Sequence, residues 1–389
     1  MKNICVGQIC ESVSKTFNKQ QDSVILINTS DVLDGKILNY KEEPNLNLKG
    51  QFKKTFETDD ILYSEIRPSN RRFAYVSEKN TEKYVASTKL MVIRAFKEFV
   101  DPKYLYLYLT SSEIVNKLQH LAETRSGTFP QITFSEEIAK LVINLPPIPI
   151  QKDIVNFINS IDNKINVNNQ INKNLEEQAQ SIFAERFVNN DYEIAKVTNL
   201  GSVCDCVLGG TPSRAKPEFW NGNIPWINSG EVNRFRITSP SELITQAGLE
   251  RSATKLLPAK TTVLAITGAT LGQVSLLEIA ACANQSVVGI VPNTTLPYEF
   301  IYPYIRANIQ ELISHQTGGA QQHINKQNVE GLSISIPSKP LLDDFVSLVS
   351  PIYAMVASNC FENVRLEQLR DSLLPQLMSG ELDVSNIDL

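Results

Sequence analysis

The chain has 389 residues and a mass of 43.5 kDa, which is too long for one ordinary core and predicts two or three domains of about 150 residues each. Its 42% hydrophobic and 20% charged residues indicate packed cores and exclude a disordered polyelectrolyte. The net charge of −5 argues against a free-standing protein that binds DNA by bulk electrostatics, so any nucleic-acid contact must be local or helped by a basic partner.

The start of the chain carries no apolar segment of about 7 to 15 residues, and no unbroken run of about 18 apolar residues follows anywhere. We therefore expect a cytoplasmic protein with no membrane span. The six cysteines fall in C-x4-C and C-x-C spacings plus two singletons, and only three histidines accompany them. Because zinc sites use paired C-x2-C knuckles, we expect reduced thiols and no metal centre.

The two halves of the chain repeat each other. A shift of 191 aligns residues 127–186 with 318–377 without a gap, and fourteen of the sixty positions are identical, among them Pro146/Pro337, Asn168/Asn359 and Leu175/Leu366. Each half begins with short β-type runs, such as residues 61–66 and 89–96 in the first and 262–267 and 286–291 in the second. The sequence predicts an α/β fold with two equivalent globular domains.

Each half ends in a long helix that follows a proline-rich turn. Apolar residues and asparagines recur there at alternating three- and four-residue steps, which is typical of a coiled-coil seam. We predict that the two helices pair antiparallel about a pseudo-two-fold axis, with the chain divided as 1–145, 146–190, 191–336 and 337–389. The alternative is two separate amphipathic helices, each folded on its own domain.

The segment GGTPSRAKPEFWNGNIPWINSGEV, residues 209–232, strongly resembles the signature of target-recognition domains in type I restriction–modification specificity subunits. Other marks of that family are the Gly-Ala-Thr-Leu-Gly stretch at 268–272, the run Thr-Gly-Gly-Ala-Gln-Gln at 317–322, and the closing LLPQLMSGELDV at 373–384. The resemblance covers the whole chain, in the order recognition domain, helix, recognition domain, helix. The first domain departs from it because it lacks the Gly-Gly-Thr-Pro signature.

The resemblance implies a non-catalytic subunit that reads a split, asymmetric target in double-stranded DNA. It would bind two methylation subunits and, in the larger complex, two restriction–translocation subunits. The chain would hold no cofactor, with S-adenosylmethionine and ATP on the partner subunits. The residues agree that the chain itself is not catalytic. The sequence has no G-x-x-x-x-G-K-[ST] phosphate loop for a motor, and Leu145 precedes Pro146-Pro147, where an adenine methyltransferase has Asn or Asp at the flipped base.

Asn168 and Asn359 interrupt the apolar seams at equivalent places near the middle of each helix. A seam asparagine fixes coiled-coil register, because a slip would leave its amide unpaired. We predict that these two residues lie side by side at the centre of the helix pair. The competing hypothesis is that their amides face outward and bind a methylation subunit.

Candidate DNA-contacting residues lie on loops, since base edges need Arg, Lys, Asn or Gln side chains and phosphates need small donors. In the second domain they are Thr211, Ser213, Arg214, Lys216, Ser229, Thr267, Thr270, Gln321, Gln322 and His323. Arg234 and Arg236 add local positive charge. We expect Trp220 and Trp226 to pack under the loop at 209–232, with base stacking as the alternative.

In the first domain the best basic patch is the sequence Arg67-Pro68-Ser69-Asn70-Arg71-Arg72, directly after a predicted strand. It occupies the position that Thr267–Thr270 holds in the second half. We predict DNA contacts from Arg67, Asn70, Arg71 and Arg72, with Arg125 and Ser126 beside them; the alternative is a solvated charge run. For the whole chain, the competing functions are a tandem protein–protein scaffold that binds no DNA and an enzyme whose site the sequence does not reveal.

Overall fold

The computed structural model describes residues 2–17, 21–46, 48, 50–125, 128–314 and 323–384. They form two compact units, the first built from Met1–Asn163 and Glu367–Leu389 and the second from Lys164–Leu366. Two long helices, α3 (Ile148–Phe187) and α8 (Lys339–Ser379), each contribute one part to either unit.

The first unit contains twelve strands and two shorter helices among its described residues. The strands are β1 (Lys2–Cys5), β2 (Cys10–Val13), β3 (Ser23–Ile27), β4 (Val32–Leu33), β5 (Lys36–Ile37), β6 (Glu42–Pro44), β7 (Phe52–Lys54), β8 (Ile61–Ser64), β9 (Phe73–Tyr75), β10 (Tyr84–Ser87), β11 (Leu90–Ala95) and β12 (Val142–Leu145). The helices are α1 (Pro102–Thr110) and α2 (Ser112–Arg125).

The second unit contains ten strands and four shorter helices in the part of the chain that the structure describes. The strands are β13 (Ile194–Asn199), β14 (Asp205–Leu208), β15 (Trp220–Ile227), β16 (Glu242–Ile244), β17 (Leu256–Leu257), β18 (Thr262–Ala265), β19 (Val274–Leu276), β20 (Ala281–Ala283), β21 (Val287–Val291) and β22 (Ser333–Pro337). The helices are α4 (Gln246–Glu250), α5 (Tyr298–Ala307), α6 (Ile309–Ser314) and α7 (Lys326–Glu330).

The two units share one sheet topology. The sheet β2-β11-β8-β9 of the first corresponds to β14-β21-β18-β19 of the second, and β6-β3-β10-β7 corresponds to β16-β15-β20-β17. The pairs β3–β10 and β15–β20 are both parallel, whereas the other strand pairs of these sheets are antiparallel. The α/β class and the tandem repeat predicted from the sequence are confirmed.

The long helices bury their apolar stripes in the cores. In the first unit Ile154, Phe157 and Ile158 of α3 are buried. In the second, Phe183 of α3 packs against Phe300 and Phe345, with ring centroids 5.6 and 6.0 Å apart. Helix α3 begins at Ile148, one residue before Pro149, where proline costs no hydrogen bond because the first turn has unpaired amides anyway.

The helices α3 and α8 run antiparallel within the second unit, since Asn168 bonds to Asn363, Asn172 to Asn359, and Arg186 pairs with Asp344. The predicted direct meeting of Asn168 with Asn359 is wrong by one helical turn. Matching the helix midpoints assumed that residue 168 faces residue 359. The observed register instead places Asn168 opposite Asn363.

Helix α8 is long and apolar enough to cross a membrane by length and composition, with a mean hydropathy of 1.4 in its best 18-residue window. This property differs from the expectation of no membrane span, which rested on unbroken apolar runs, because polar residues interrupt the apolar ones along this helix. Core helices of soluble proteins pass the same test, and Phe345, Val349, Tyr353 and Val356 of this helix are buried in the second unit. These four residues therefore belong to a protein core, whereas Leu348, Met355 and Leu369 of the same helix are exposed.

Candidate nucleic-acid interface

Two equivalent turns present the predicted polar residues. In the first unit β8 leads into a helical turn, Pro68–Asn70, and then into β9. In the second, β18 leads into the turn Gly268–Thr270 and then β19. The strand bounds 61–64 and 73–75 recur 201 residues later as 262–265 and 274–276. As predicted, the segment Arg67–Arg72 of the first unit therefore occupies the position that Thr267–Thr270 holds in the second unit.

The backbone of both turns is left-handed at the same two positions. Gly268 and Gly272 have φ angles of 65° and 84°, and the residues 201 positions earlier, Arg67 and Arg71, have φ angles of 45° and 52°. Glycine adopts this region freely, whereas a residue with a Cβ is strained there. The second turn therefore has glycine at both left-handed positions, whereas the first has arginine at both, which this backbone conformation disfavours.

The three arginines of the first turn have different surroundings. The Arg71 guanidinium pairs with Asp34 and lies 5.1 Å from the centroid of the Phe73 ring. Arg72 donates hydrogen bonds to the backbone oxygens of Ser30 and Val32 at 2.9 and 3.3 Å. Arg67 is exposed and has no side-chain hydrogen bond or ion pair among the described residues. The cluster predicted as one patch therefore contains one unpaired cation.

Other predicted residues of the first unit lie nearby in the fold. Asn70 is exposed on the turn itself, and its backbone N–H donates to the Arg67 oxygen. Arg125, the last residue of α2, pairs with Glu137 at 3.1 Å. Ser126 lies outside the described residues.

In the second unit the structure brings two predicted loops together. Thr267 forms an antiparallel bridge with His323, and the Ile324 N–H donates to the Ile266 oxygen at 3.0 Å. The Thr270 hydroxyl donates to the Thr267 oxygen at 3.2 Å. Gln321 and Gln322 precede His323 but lie outside the described residues.

The Gly-Gly-Thr-Pro loop is held by its tryptophans. Trp226 is buried and its indole N–H donates to the Gly210 oxygen at 3.1 Å, while that of Trp220 donates to the Ser213 oxygen at 3.2 Å. The expectation that these rings pack under the loop is confirmed. Their indoles are engaged within the fold.

The loop's polar side chains are partly engaged as well. Thr211 bonds to Gln285, and Arg214 pairs with Glu242 while its guanidinium lies 3.6 Å from the Trp220 ring centroid. The exposed Lys216 ammonium lies 5.0 Å from the Phe219 ring centroid. Ser229 is half-buried and begins the turn Ser229–Asn233, which Asn228 caps.

The assignment of Arg236 to the positive surface is wrong. Its side chain is 1% exposed and pairs with Glu176 of α3 at 2.6 Å and with Glu278 at 3.4 Å. Arg306 also pairs with Glu176, and Lys260 with Glu278. We call Glu176, Arg236, Lys260, Glu278 and Arg306 the buried ion cluster. It joins α3 to the second globular domain, and no local pattern in the sequence predicts it.

No group of three or more potential metal ligands occurs among the described residues. Cys10, Cys204 and Cys206 are buried, and burial raises the pKa of each thiol to about 12. Such thiols stay protonated at neutral pH and behave as small apolar side chains.

The family model of the type I restriction modification DNA specificity domain matches residues 1–177 and 192–341. The HindI specificity subunit of Haemophilus influenzae is 30% identical, over 98% of this chain and 99% of its own length. The MjaIX specificity subunit of Methanocaldococcus jannaschii is 26% identical, over 75% of this chain and 71% of its own.

A crystal structure of the type I restriction–modification S subunit from M. genitalium has a similar fold, with a TM-score of 0.54 at 14% identity, over 97% of this chain and 96% of that one. The fold and the two matched regions define the class. The chain belongs to the type I restriction–modification DNA specificity family. It is thus a specificity subunit and not one of the catalytic subunits.

Proposed function

We propose that this chain reads a bipartite, asymmetric sequence in double-stranded DNA, with one half read by each globular domain. The observation that carries the proposal is the pair of equivalent turns, which share a backbone path but differ in chemistry. The first offers the Arg67 guanidinium, and the second offers Gly268, Thr270 and the neighbouring His323. Two domains that present different side chains to the base edges recognise different half-sites.

We further propose that the chain positions two methylation subunits on its target and, in a larger complex, two restriction–translocation subunits. S-adenosylmethionine and ATP then belong to those partners, and the chain itself works in the cytoplasm without a membrane. The long helices α3 and α8 support this assignment, because Val167, Ile171 and Met355 leave apolar surface exposed on them. This division of labour also fits the net negative charge of the chain. The chain needs only local loop contacts for specificity, and its partners can supply the Lys and Arg residues that neutralise DNA phosphates.

The test is to purify the full chain with and without candidate methylation subunits and to select bound sequences from a random duplex library. We expect a two-part sequence with a fixed gap, and adenine methylation of it that requires both the partner and S-adenosylmethionine. A complex that assembles fully but selects no sequence would instead support the protein–protein scaffold.

A further inference from the structure

We infer that Arg67 is the residue by which the first recognition domain reads a guanine, and this inference rests on the proposed function. Arg67 has a φ angle of 45°, a region that favours glycine. The residue 201 positions later in the equivalent turn is Gly268, with a φ angle of 65°.

Glycine at 268 is explained by conformation and not by lack of space. A Cβ built on Gly268 would have no atom within 4 Å, apart from its own chain neighbours, in the part of the chain that the structure describes. The turn therefore has room for any side chain at this position but favours glycine through its φ angle. An arginine at position 67 keeps the same backbone against that preference, held by the surrounding fold, and strained backbone of this kind clusters at functional sites.

The two left-handed arginines of the turn differ in what their side chains contact among the described residues. Arg71, the other left-handed arginine, gains the ion pair with Asp34 and the contact with Phe73. Arg67 is exposed, and its side chain has no such partner among the described residues. The Arg67 guanidinium is therefore available to a ligand.

The charges around the turn favour a ligand rich in acceptors. Three carboxylates near the turn already pair with other cations, Asp34 with Arg71, Glu65 with Lys89 at 3.4 Å, and Glu137 with Arg125 at 3.1 Å, while Glu123 of α2 accepts a hydrogen bond from Gln119 at 2.7 Å. Arg67 itself forms no ion pair with a carboxylate among the described residues. A guanidinium in this state pairs with phosphate oxygens or, in the major groove, with O6 and N7 of guanine.

The rigidity of the turn favours the base over the phosphate. The Arg67 N–H donates to the Pro130 oxygen at 3.1 Å, and the Ser69 N–H donates to the Gln119 side-chain oxygen at 3.1 Å. A flexible cation can reach a phosphate from many backbone positions, whereas two parallel hydrogen bonds to one guanine need a fixed origin and direction. A strained but anchored turn provides that origin.

The test compares Arg67→Gly and Arg67→Ala in the full chain assembled with its methylation subunits. Sequence selection from random duplexes should show that both variants lose the preference for one G·C pair in one half-site and keep the other half. Affinity for the wild-type target should fall about 5- to 150-fold. Arg67→Gly should also melt about 2 to 4 °C above Arg67→Ala, because glycine relieves the left-handed strain.

Lys79→Ala is the matched control, since it removes the same charge from another exposed loop of the first unit. It should keep the selected sequence unchanged. A uniform loss of affinity in the Arg67 variants with every base preference retained would show a phosphate contact and overturn the guanine assignment. Unchanged selection and affinity would remove Arg67 from the interface. If the wild-type complex selects no sequence, the proposed function fails as well, so the two failures are distinguishable.

Discussion

The Asn168 side-chain N–H donates to the Asn363 side-chain oxygen at 2.9 Å inside the antiparallel helix pair of the second unit. The repeat supplies a copy of this bond, because adding 191 to 168 gives 359 and subtracting 191 from 363 gives 172, and Asn359 donates to Asn172 at 2.9 Å. Asn168 and Asn172 are 1% and 2% exposed. These buried amides are satisfied in this register and would lose their partners after a slip of one turn.

Replacing Asn168 alone by leucine should destabilise the helix pair. Glu362 and Asn363 would lose the donor that Asn168 gives them, at a cost of about 1 to 3 kcal/mol. The double variant Asn168→Leu/Asn363→Leu should recover most of that loss while tolerating other registers, so the gap between the methylated half-sites should become less uniform. Thermal unfolding and sequencing of methylated sites measure the two effects. Equal stability of the single variant and wild type would refute the register role.

The buried ion cluster should be costly to break. Glu176→Gln removes the carboxylate that Arg236 and Arg306 share and leaves the Arg236 guanidinium, among the described residues, with Glu278 as its one acidic partner. We expect the free energy of unfolding to fall by about 3 to 5 kcal/mol. Glu177→Gln is the matched control, because Glu177 is exposed on the same helix and is 3.9 Å from Lys173. It should change stability by less than about 0.5 kcal/mol. Similar denaturant midpoints for the two variants would show that the cluster does not stabilise the second unit.

Arg71 and Arg72 should act mainly on stability and not on DNA affinity. The Arg71 ion pair with Asp34 is exposed, so Arg71→Ala should lower the free energy of unfolding by less than about 1 kcal/mol. Arg72→Ala removes the donor to the backbone oxygens of Ser30 and Val32 and should lower it by about 1 kcal/mol. The slope of log affinity against log salt should stay near the wild-type value in both variants, because that slope reports phosphate contacts. Salt titrations of DNA binding provide the measurement. A slope that flattens by about one unit in either variant would place that arginine on a phosphate.

Alkaline pH should destabilise the fold. Burial raises the pKa of the Cys10 and Cys204 thiols from 9.0 to about 12 and that of the Tyr106 and Tyr304 hydroxyls from 10.0 to about 12. The folded state therefore binds more protons than the unfolded state between about pH 9 and 12, and the stability that these groups provide below pH 9 is lost as the pH rises through that window.

Urea unfolding at pH 8 and at pH 10.5 tests this expectation. Cys10→Ala should reduce the difference between the two midpoints, since it removes one of the shifted groups. The exposed Cys5 should react with iodoacetamide in the folded protein, whereas Cys10 should react only after unfolding. Equal urea midpoints at the two pH values would contradict the predicted window.

The sequence predicted the elements that depend on local pattern. The runs 61–66, 89–96, 262–267 and 286–291 lie on β8, β11, β18 and β21, because β-branched and apolar residues bounded by turn formers specify strands locally. The long helices follow for the same reason, from an apolar period that continues for about 40 residues.

The details that the sequence did not predict depend on long-range packing. Arg236 is as polar as Arg67, and its burial follows only from the meeting of Glu176, Glu278 and Tyr302 around it. The predicted partner of Asn168 was wrong by one helical turn, because contacts along the helix pair such as Arg186 with Asp344, and not the positions of the helix midpoints, determine the register. The intramolecular partners of Arg71 and Arg72 could not be predicted, because Asp34 and Ser30 lie more than thirty residues away in sequence.

The proposal that each domain reads its own half-site is tested most directly by exchanging residues 191–336 for the equivalent region of a relative and mapping the methylated adenines in a genome that carries the hybrid complex. Our account predicts that one half of the methylated sequence changes, while the other half and the gap between them stay as in the wild type. A hybrid that methylates actively but changes both halves, or neither, would contradict it.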